Sequence, residues 1–328
     1  MTICGTGVAG YNGDEQPATS AQLLTPVSVV VSMDDEVYIV ETLGHRVRRI
    51  DRHGTIHTVA GTGQEGFNGD GRLAVGAQLD GPRGVFVTED GEVLIADTFN
   101  HRIRKVDRNG MIWTVAGTGV PGYNGDDQLA TSAQLCSPTS VFQYKREIYI
   151  SDSSSFRIRK ILQNGMIETV DLKQHNSGYD SNPHLTPFSV AVYRDEIFVA
   201  YNHDHVVRKI LSNGDFETLI GNGKCGHGGD HSFAINALVN RPSGIFVDDS
   251  QVYIADYGNH RIRKIERNGL VKTIVGTGQP GYSGDVPFDF KKYPHIGPKK
   301  KQLLKPFSIR YSDIVIYCND FLILNSEA

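Results

Sequence analysis

The chain is poor in the residues that build helical cores, metal centres or disulfide frameworks. Its 328 residues include one Trp, four Met and four Cys. Scarce Met and a hydrophobic share of 39 % argue against a large helical core. No run of about 18 apolar residues is present, so no spanning helix is expected. The start, Met1-Thr2-Ile3-Cys4-Gly5, has neither a basic n-region nor an apolar h-region, so no signal peptide is expected. There is no Asn-x-Ser/Thr sequon. Cys4, Cys136, Cys225 and Cys318 form no CxxC and no zinc spacing. Few, scattered cysteines point to free thiols, a reducing compartment and a cytoplasmic location. A strong excess of one charge is also missing. At a net charge of −4, neither nucleic acid nor a membrane is the favoured partner. No Gly-x-Ser-x-Gly elbow, P-loop or His-Glu-x-x-His is found, and no cofactor is expected.

What is abundant is glycine, 36 residues in all, and most of it recurs at fixed intervals. One unit reads Pro26-Val-Ser-Val-Val-Val, Glu36-Val-Tyr-Ile-Val-Glu41, His45-Arg-Val-Arg-Arg-Ile50, then Gly54-Thr-Ile-His-Thr-Val-Ala-Gly61. The next reads Pro82-Arg-Gly-Val-Phe-Val, Glu92-Val-Leu-Ile-Ala-Asp97, His101-Arg-Ile-Arg-Lys-Val106, then Gly110-Met-Ile-Trp-Thr-Val-Ala-Gly117. Further copies start at Pro138, Pro187 and Pro242, with a degenerate one at Pro306. Each holds four short β-rich runs separated by turn dipeptides. Asn109-Gly110, Asn164-Gly165, Asn213-Gly214 and Asn268-Gly269 recur at one place and predict type I′ hairpins. Four strands in a repeat of about 50 residues describe a propeller blade, whose faces are buried only by stacked neighbours. The spacing predicts an all-β fold, a six-bladed propeller of four-stranded antiparallel blades filling residues 1–328 as one domain, with blades starting near 26, 82, 138, 187, 242 and 306. The sixth unit stops one strand short. Because Thr2-Ile3-Cys4-Gly5-Thr6-Gly7 matches Thr58-Val-Ala-Gly-Thr-Gly63, residues 2–7 are expected to complete that blade and close the ring.

On these motifs, Pro-x-Gly/Ser-Val, Val-Tyr-Ile-Ala-Asp and Asn-His-Arg-Ile-Arg-Lys, the chain resembles NHL-repeat proteins. The resemblance covers essentially the whole chain and is closest in units 1, 2 and 5. Unit 3 has Ser155-Phe156 where Asn-His is expected, and unit 4 has Asp204-His205-Val206, without the first Arg. The glycine-rich connectors are similar to those of NHL modules in teneurins and in bacterial and protist repeat proteins. The resemblance implies a six-bladed propeller that binds protein or RNA, on a fold that hosts many functions.

Several motifs point elsewhere in isolation. Gly-x-Gly-x-x-Gly recurs along the chain, as at Gly5, Gly61, Gly117 and Gly276. Each copy follows an outer strand instead of opening a long helix, so it reads as a blade-to-blade connector and not as a dinucleotide site. Asp14, Asp70, Asp126 and Asp230 each stand twelve residues before a blade-opening proline, and Ala18, Ala74, Ala130 and Ala234 eight before. This predicts an Asp-capped helical turn packed on its small face. Calcium is disfavoured because no Asp-x-Asp-x-Asp-Gly spacing occurs. The His-Arg-Ile-Arg-Lys runs read as third strands, their Arg groups meeting Glu41, Asp97, Asp152 and Asp256. His45, His101, His205 and His260 recur at one blade position and suit a structural hydrogen bond.

Function is sought where the copies differ. The connector from Asp171 to His184 has lost Gly-Thr-Gly, and six of the twelve histidines fall between 175 and 231. Connectors and second hairpins share one rim, so His175, His184, Tyr201, His203, His205, His227 and His231 are candidate ligand-binding residues. Loop histidines in solvent are the plainer reading, because no tight ligand spacing occurs. The connector from Asp285 to Pro306 is extended and carries Lys291, Lys292, Lys299, Lys300 and Lys301 with Phe288, Phe290 and Tyr293, a set that could dock a protein or a nucleic-acid strand. Arg83 and the other residues after the blade-opening prolines (Val27, Thr139, Phe188, Ser243, Phe307) are expected at the channel mouth. The leading expectation is a monomeric, non-catalytic scaffold presenting one rim to a protein, peptide, glycan or RNA partner. A metal-dependent enzyme is the first alternative. Peptide-amidating lyases of this family hold zinc with histidines, some directly after the blade-opening proline, and none of the six positions here is His. Lactonase-like propellers use channel carboxylates, and none lies in Val27–Val31, Arg83–Val87 or Ser243–Val247. A sensor or adhesion module of a larger receptor is the second alternative.

Overall fold

The computed structural model of the chain describes residues 2–170, 185–248, 251–281, 313–318 and 321–326. Blade 1 consists of Pro26–Val31, Val37–Glu41, Arg46–Ile50 and Thr55–Ala60, in that order from the inner to the outer edge. Blade 2 follows with Gly84–Val87, Val93–Asp97, Arg102–Val106 and Met111–Ala116, and blade 3 with Pro138–Tyr144, Glu147–Asp152, Arg157–Ile161 and Met166–Thr169. Blade 4 is Pro187–Tyr193, Glu196–Tyr201, Val206–Ile210 and Phe216–Ile220, and blade 5 is Pro242–Asp248, Gln251–Asp256, Arg261–Ile265 and Val271–Val275. All these ladders are antiparallel, as in Ile39↔Arg48 and Ile95↔Arg104.

The expectation of six four-stranded blades is corrected. Among the described residues there are five blades, and the sixth unit is a two-stranded sheet, Asp313–Cys318 with Phe321–Ser326. It lies between the inner strands of blades 1 and 5. The physical reason is visible in its sequence: residues 306–328 carry no Arg-x-Arg run of the kind that forms the third strand of blades 1, 2, 3 and 5. The expected closure by residues 2–7 is also corrected. These residues form no strand. The Gly5 and Thr6 amides donate to the Ala18 and Ala21 carbonyls instead (both 3.0 Å), and Cys4 is buried against Ala18, Ile39 and Ile56 of blade 1. Gly61 and Thr62 make the same bonds after the outer strand of blade 1, so residues 5 and 6 keep the connector contact, while the two-stranded sixth unit offers residues 2–7 no third strand to pair with among the described residues.

The core lies between blades. On the second strand of blade 1, Val37 and Ile39 face the N-terminal side, while Tyr38 and Val40 join Val93, Ile95 and Ile112 of blade 2. Period-two alternation therefore feeds two interfaces from one strand. The connectors plug these interfaces, and Leu79 and Leu135 are fully buried in them. Burying such a side chain contributes about 1.5–3 kcal/mol.

Two local expectations need revision. The Asn-Gly hairpins are not type I′, because only the glycine has positive φ, 75° at Gly110. Gly110 N–H donates to the Asp107 carbonyl (2.9 Å), and the Asp107 carboxylate accepts from Asn109 and Met111 N–H. That is a type I turn followed by a left-handed glycine. The connector turns are one-turn 3₁₀ helices such as Ala18–Ser20 and Ala74–Gly76, with no side-chain cap. The residues just before them form a two-residue fifth strand on the outer edge of the blade that follows: Gln16–Pro17 on Thr55–Ala60, Arg72–Leu73 on Met111–Ala116, and Gln128–Leu129 on Met166–Thr169.

Candidate functional site

Antiparallel pairing brings the second-strand ends, the turns after them and the connectors to one rim. In blades 1, 2, 3 and 5 the end of the second strand there is built around a buried charge. Glu41, Asp97, Asp152 and Asp256 are at most 1 % exposed. Each accepts a backbone N–H from the incoming connector: Leu24 (2.6 Å), Asp80 (2.7 Å), Cys136 (2.6 Å) and Asn240 (2.7 Å). The third-strand arginines reach these carboxylates at 3.2 Å (Arg48–Glu41) and 3.4 Å (Arg104–Asp97 and Arg263–Asp256). Their second anchors are Asp14, Asp70, Asp126 and Asp230, at 2.7–2.9 Å from Arg48, Arg104, Arg159 and Arg263. These connector aspartates are ion-pair partners instead of the expected caps. Burial pushes the Asp97 and Asp152 carboxyls up to about 6, against the lowering effect of their hydrogen bonds.

The recurring histidines lock one blade to the next. The Nδ1 atoms of His45, His101 and His205 accept from the N–H of Gly81, Ser137 and Arg241, each directly ahead of a blade-opening proline (3.1–3.2 Å). Burial holds His101 and His205 below the usual imidazole range, in the neutral form that can accept. Beside them, Thr42, Thr98 and Ser153 donate to the carbonyls of Pro82, Pro138 and Pro187. Where a glycine opens the connector it is forced: at Gly117 φ is 93°, and a Cβ would stand 2.2 Å from the His101 carbonyl oxygen.

Blade 4 departs from this pattern. Tyr201 occupies the place of the strand-ending acid, fully buried, its hydroxyl pushed up to about 12 by burial. Arg208 lies over the Phe216 and Tyr201 rings at 4.5 and 5.8 Å. The carboxylate has moved into the turn, where Asp204 accepts from Thr186 N–H (3.1 Å).

The predicted candidates separate into three groups. Tyr201 and His205 are scaffold, whereas His231 is exposed and its backbone N–H donates to the Val271 carbonyl (2.7 Å) at the outer edge of blade 5. His203 and His227 are exposed. Arg83 is half-buried, its guanidinium carbon 5.7 Å from the Phe99 ring. His175, His184, Lys299, Lys300 and Lys301 lie outside the described residues, as do the aromatic side chains near the lysines. Among the described residues, no three His, Cys, Asp or Glu side chains are grouped to hold a metal ion. Cys4, Cys136 and Cys225 are free thiols. Sequence reasoning named one tip of the second turns, His203, and missed the others, Leu43, Phe99, Ser154 and Gly258. Leu43 and Phe99 are 58 % and 49 % exposed there. The signal was available, since this position carries Leu, Phe, Ser, His and Gly in the five blades with no residue type repeated.

Residues 62–121 match the model of the teneurin NHL domain, and residues 239–265 match that of the NHL repeat. The chain is similar to Protein SUPPRESSOR OF QUENCHING 1, chloroplastic, of Arabidopsis thaliana, at 36 % identity over 99 residues (30 % of this chain, 9 % of that protein). It is similar to Teneurin-3 of Danio rerio at 27 % identity over 270 residues (78 % of this chain, 8 % of that protein). It thus spans about a tenth of the length of the curated relatives it matches. Among solved structures it shares its fold with an auxiliary nutrient binding protein from Bacteroides thetaiotaomicron, with a TM-score of 0.61 at 14 % identity over 86 % of this chain and 65 % of that one. A chain of a nidogen/laminin complex aligns with a TM-score of 0.52 at 13 % identity over 76 % of this chain and 78 % of that one. With its repeating acid–arginine locks, its blade-opening prolines and these matches, the chain is an NHL-repeat β-propeller protein.

Proposed function

We propose that the propeller is a non-catalytic scaffold that holds a partner protein on its connector rim. One observation carries this reading. On that rim the charged residues of the repeat are consumed by the fold, while the second-turn tips present a different side chain in each blade: Leu43, Phe99, Ser154, His203 and Gly258. A stacked scaffold fixes the regular positions and leaves such tips to specialise. Exposed Leu and Phe beside Arg83 give the apolar and cationic mix that protein interfaces favour. Membership among NHL propellers supports the same class, as does the nidogen/laminin fold relative.

A photo-reactive amino acid at position 43, 99 or 203, introduced in the cell that makes the protein, tests this. The expected result is one discrete crosslinked protein from these positions and none from Asp34 or Glu89, which lie in turns on the opposite rim. Equal crosslinking from both rims, or none from either, ends the proposal.

A further inference from the structure

In four blades the ladder between the inner and second strands skips a residue immediately after the opening proline. The interruptions fall between Pro26 and Ser28, Pro138 and Ser140, Pro187 and Ser189, and Pro242 and Gly244. The skipped residues are Val27, Thr139, Phe188 and Ser243. Arg83 is their counterpart in blade 2, directly ahead of the strand Gly84–Val87. A bulge at a strand end re-aims a side chain away from the ladder. These are the first residues of the innermost strands, so the five positions surround the channel mouth on the connector rim.

Arg83 is the only ionisable residue of the five, and its environment is unlike that of the other rim arginines. Arg48, Arg104, Arg159 and Arg263 each meet an aspartate, and Arg46 and Arg102 donate to the carbonyls of Thr62 and Thr118. Among the described residues, Arg83 has no carboxylate or carbonyl acceptor for its guanidinium, only the Phe99 ring face. Burial alone pulls its pKa down. A ring face holds a guanidinium in place and strips part of its water without neutralising it. The uncompensated desolvation is offset when an anion arrives. The fork pairs with carboxylate or phosphate alike, but with no second cation among the five positions a single guanidinium balances a singly charged carboxylate and leaves a phosphate of about −1.5 to −2 under-neutralised. Val27 and Phe188 offer apolar contact to whatever carries the group.

We propose that Arg83 anchors a carboxylate at the channel mouth, the side chain or terminus through which a partner on the connector rim is held. This rests on the scaffold reading above and assigns its ligand chemistry. The test titrates the whole protein with benzoate, benzamide and phenyl phosphate, following the Arg Nε–H resonances by NMR. The Arg83 resonance is identified by its loss in Arg83→Met. Benzoate is expected to shift it saturably and benzamide is not. Arg83→Lys, which keeps the charge and loses the fork, should leave benzoate, followed through backbone amides at the mouth, weaker by roughly tenfold. Arg146→Met, in an exposed turn of the opposite rim, should leave the titration unchanged, and unchanged melting curves certify all variants as folded. Equal shifts with benzamide, tighter binding of phenyl phosphate than of benzoate, or unaltered benzoate binding in Arg83→Met would each overturn the proposal. Rim-specific crosslinking without carboxylate binding sinks this assignment and spares the scaffold. Carboxylate binding without rim crosslinking does the reverse.

Discussion

Blades 2 and 4 solve one problem differently. Blade 2 ends its second strand with Asp97, fully buried between Arg104 and the Asp80 and Asn100 donors. Blade 4 puts Tyr201 there and lays Arg208 across two aromatic rings. A buried carboxylate demands every one of its donors, so blade 2 is rigidly specified. An aromatic lining tolerates adjustment, and the freed acid, Asp204, moves into the turn beside exposed His203. The blade that relaxed its lock is the one whose rim turn diverged.

The comparison breaks most visibly at the lock. Asp97→Ala strands the Arg104 charge in the interior and should cost about 3–5 kcal/mol in urea unfolding. A cost below 1 kcal/mol would mean that Asp70 alone satisfies Arg104. The inter-blade bond comes next. His101→Asn keeps a residue tolerant of the left-handed backbone but removes the acceptor for Ser137 N–H, at about 1–3 kcal/mol. Its pH dependence has a definite sign. The folded pKa of His101 lies below the ordinary 6.5, so its contribution is complete above that pH and is lost as pH falls through the folded value. The stability gap between wild type and His101→Asn should therefore narrow from pH 7.5 to pH 5. In blade 4, Tyr201→Phe removes only a hydroxyl and should cost about 1 kcal/mol or less; a loss matching Asp97→Ala would erase the contrast between the blades. Least of all, Arg52→Ala removes an exposed pair with Asp34 and should change thermal stability by about 0–0.5 kcal/mol.

Much of this was legible in the sequence. The Pro, Asp and Arg-x-Arg spacings place the strands and the acid–arginine pairing, because those residues act within one blade. Three features were not. The blade count fails at the sixth unit, where a match over Thr2–Gly7 was read as a strand although a strand also needs a partner edge, which similarity to Thr58–Gly63 does not supply. Asp14 and its equivalents look like caps in one dimension, yet their partner Arg48 lies 34 residues away. The histidines cluster between 175 and 231 in sequence, but His205 accepts from Arg241 N–H, while the backbone N–H of His231 is tied to the outer strand of blade 5. Of the turn tips only His203 was singled out, because variation at the other four carries no motif.

The connectors ahead of blades 1, 2, 3 and 5 are each bonded to the blade they precede. Around blade 2, Gly71 and Ala74 N–H meet the outer strand at Ile112 and Gly110, and Asn100 reaches back to the Gly66 carbonyl. The stretch from about Gly66 to Ala116 is thus closed on itself like a buckled belt. The natural unit of duplication therefore runs from glycine loop to glycine loop and not from proline to proline. A chain cut and rejoined at such a loop would carry whole buckles to either side, which suits a lineage that lengthens, shortens or re-orders its blades.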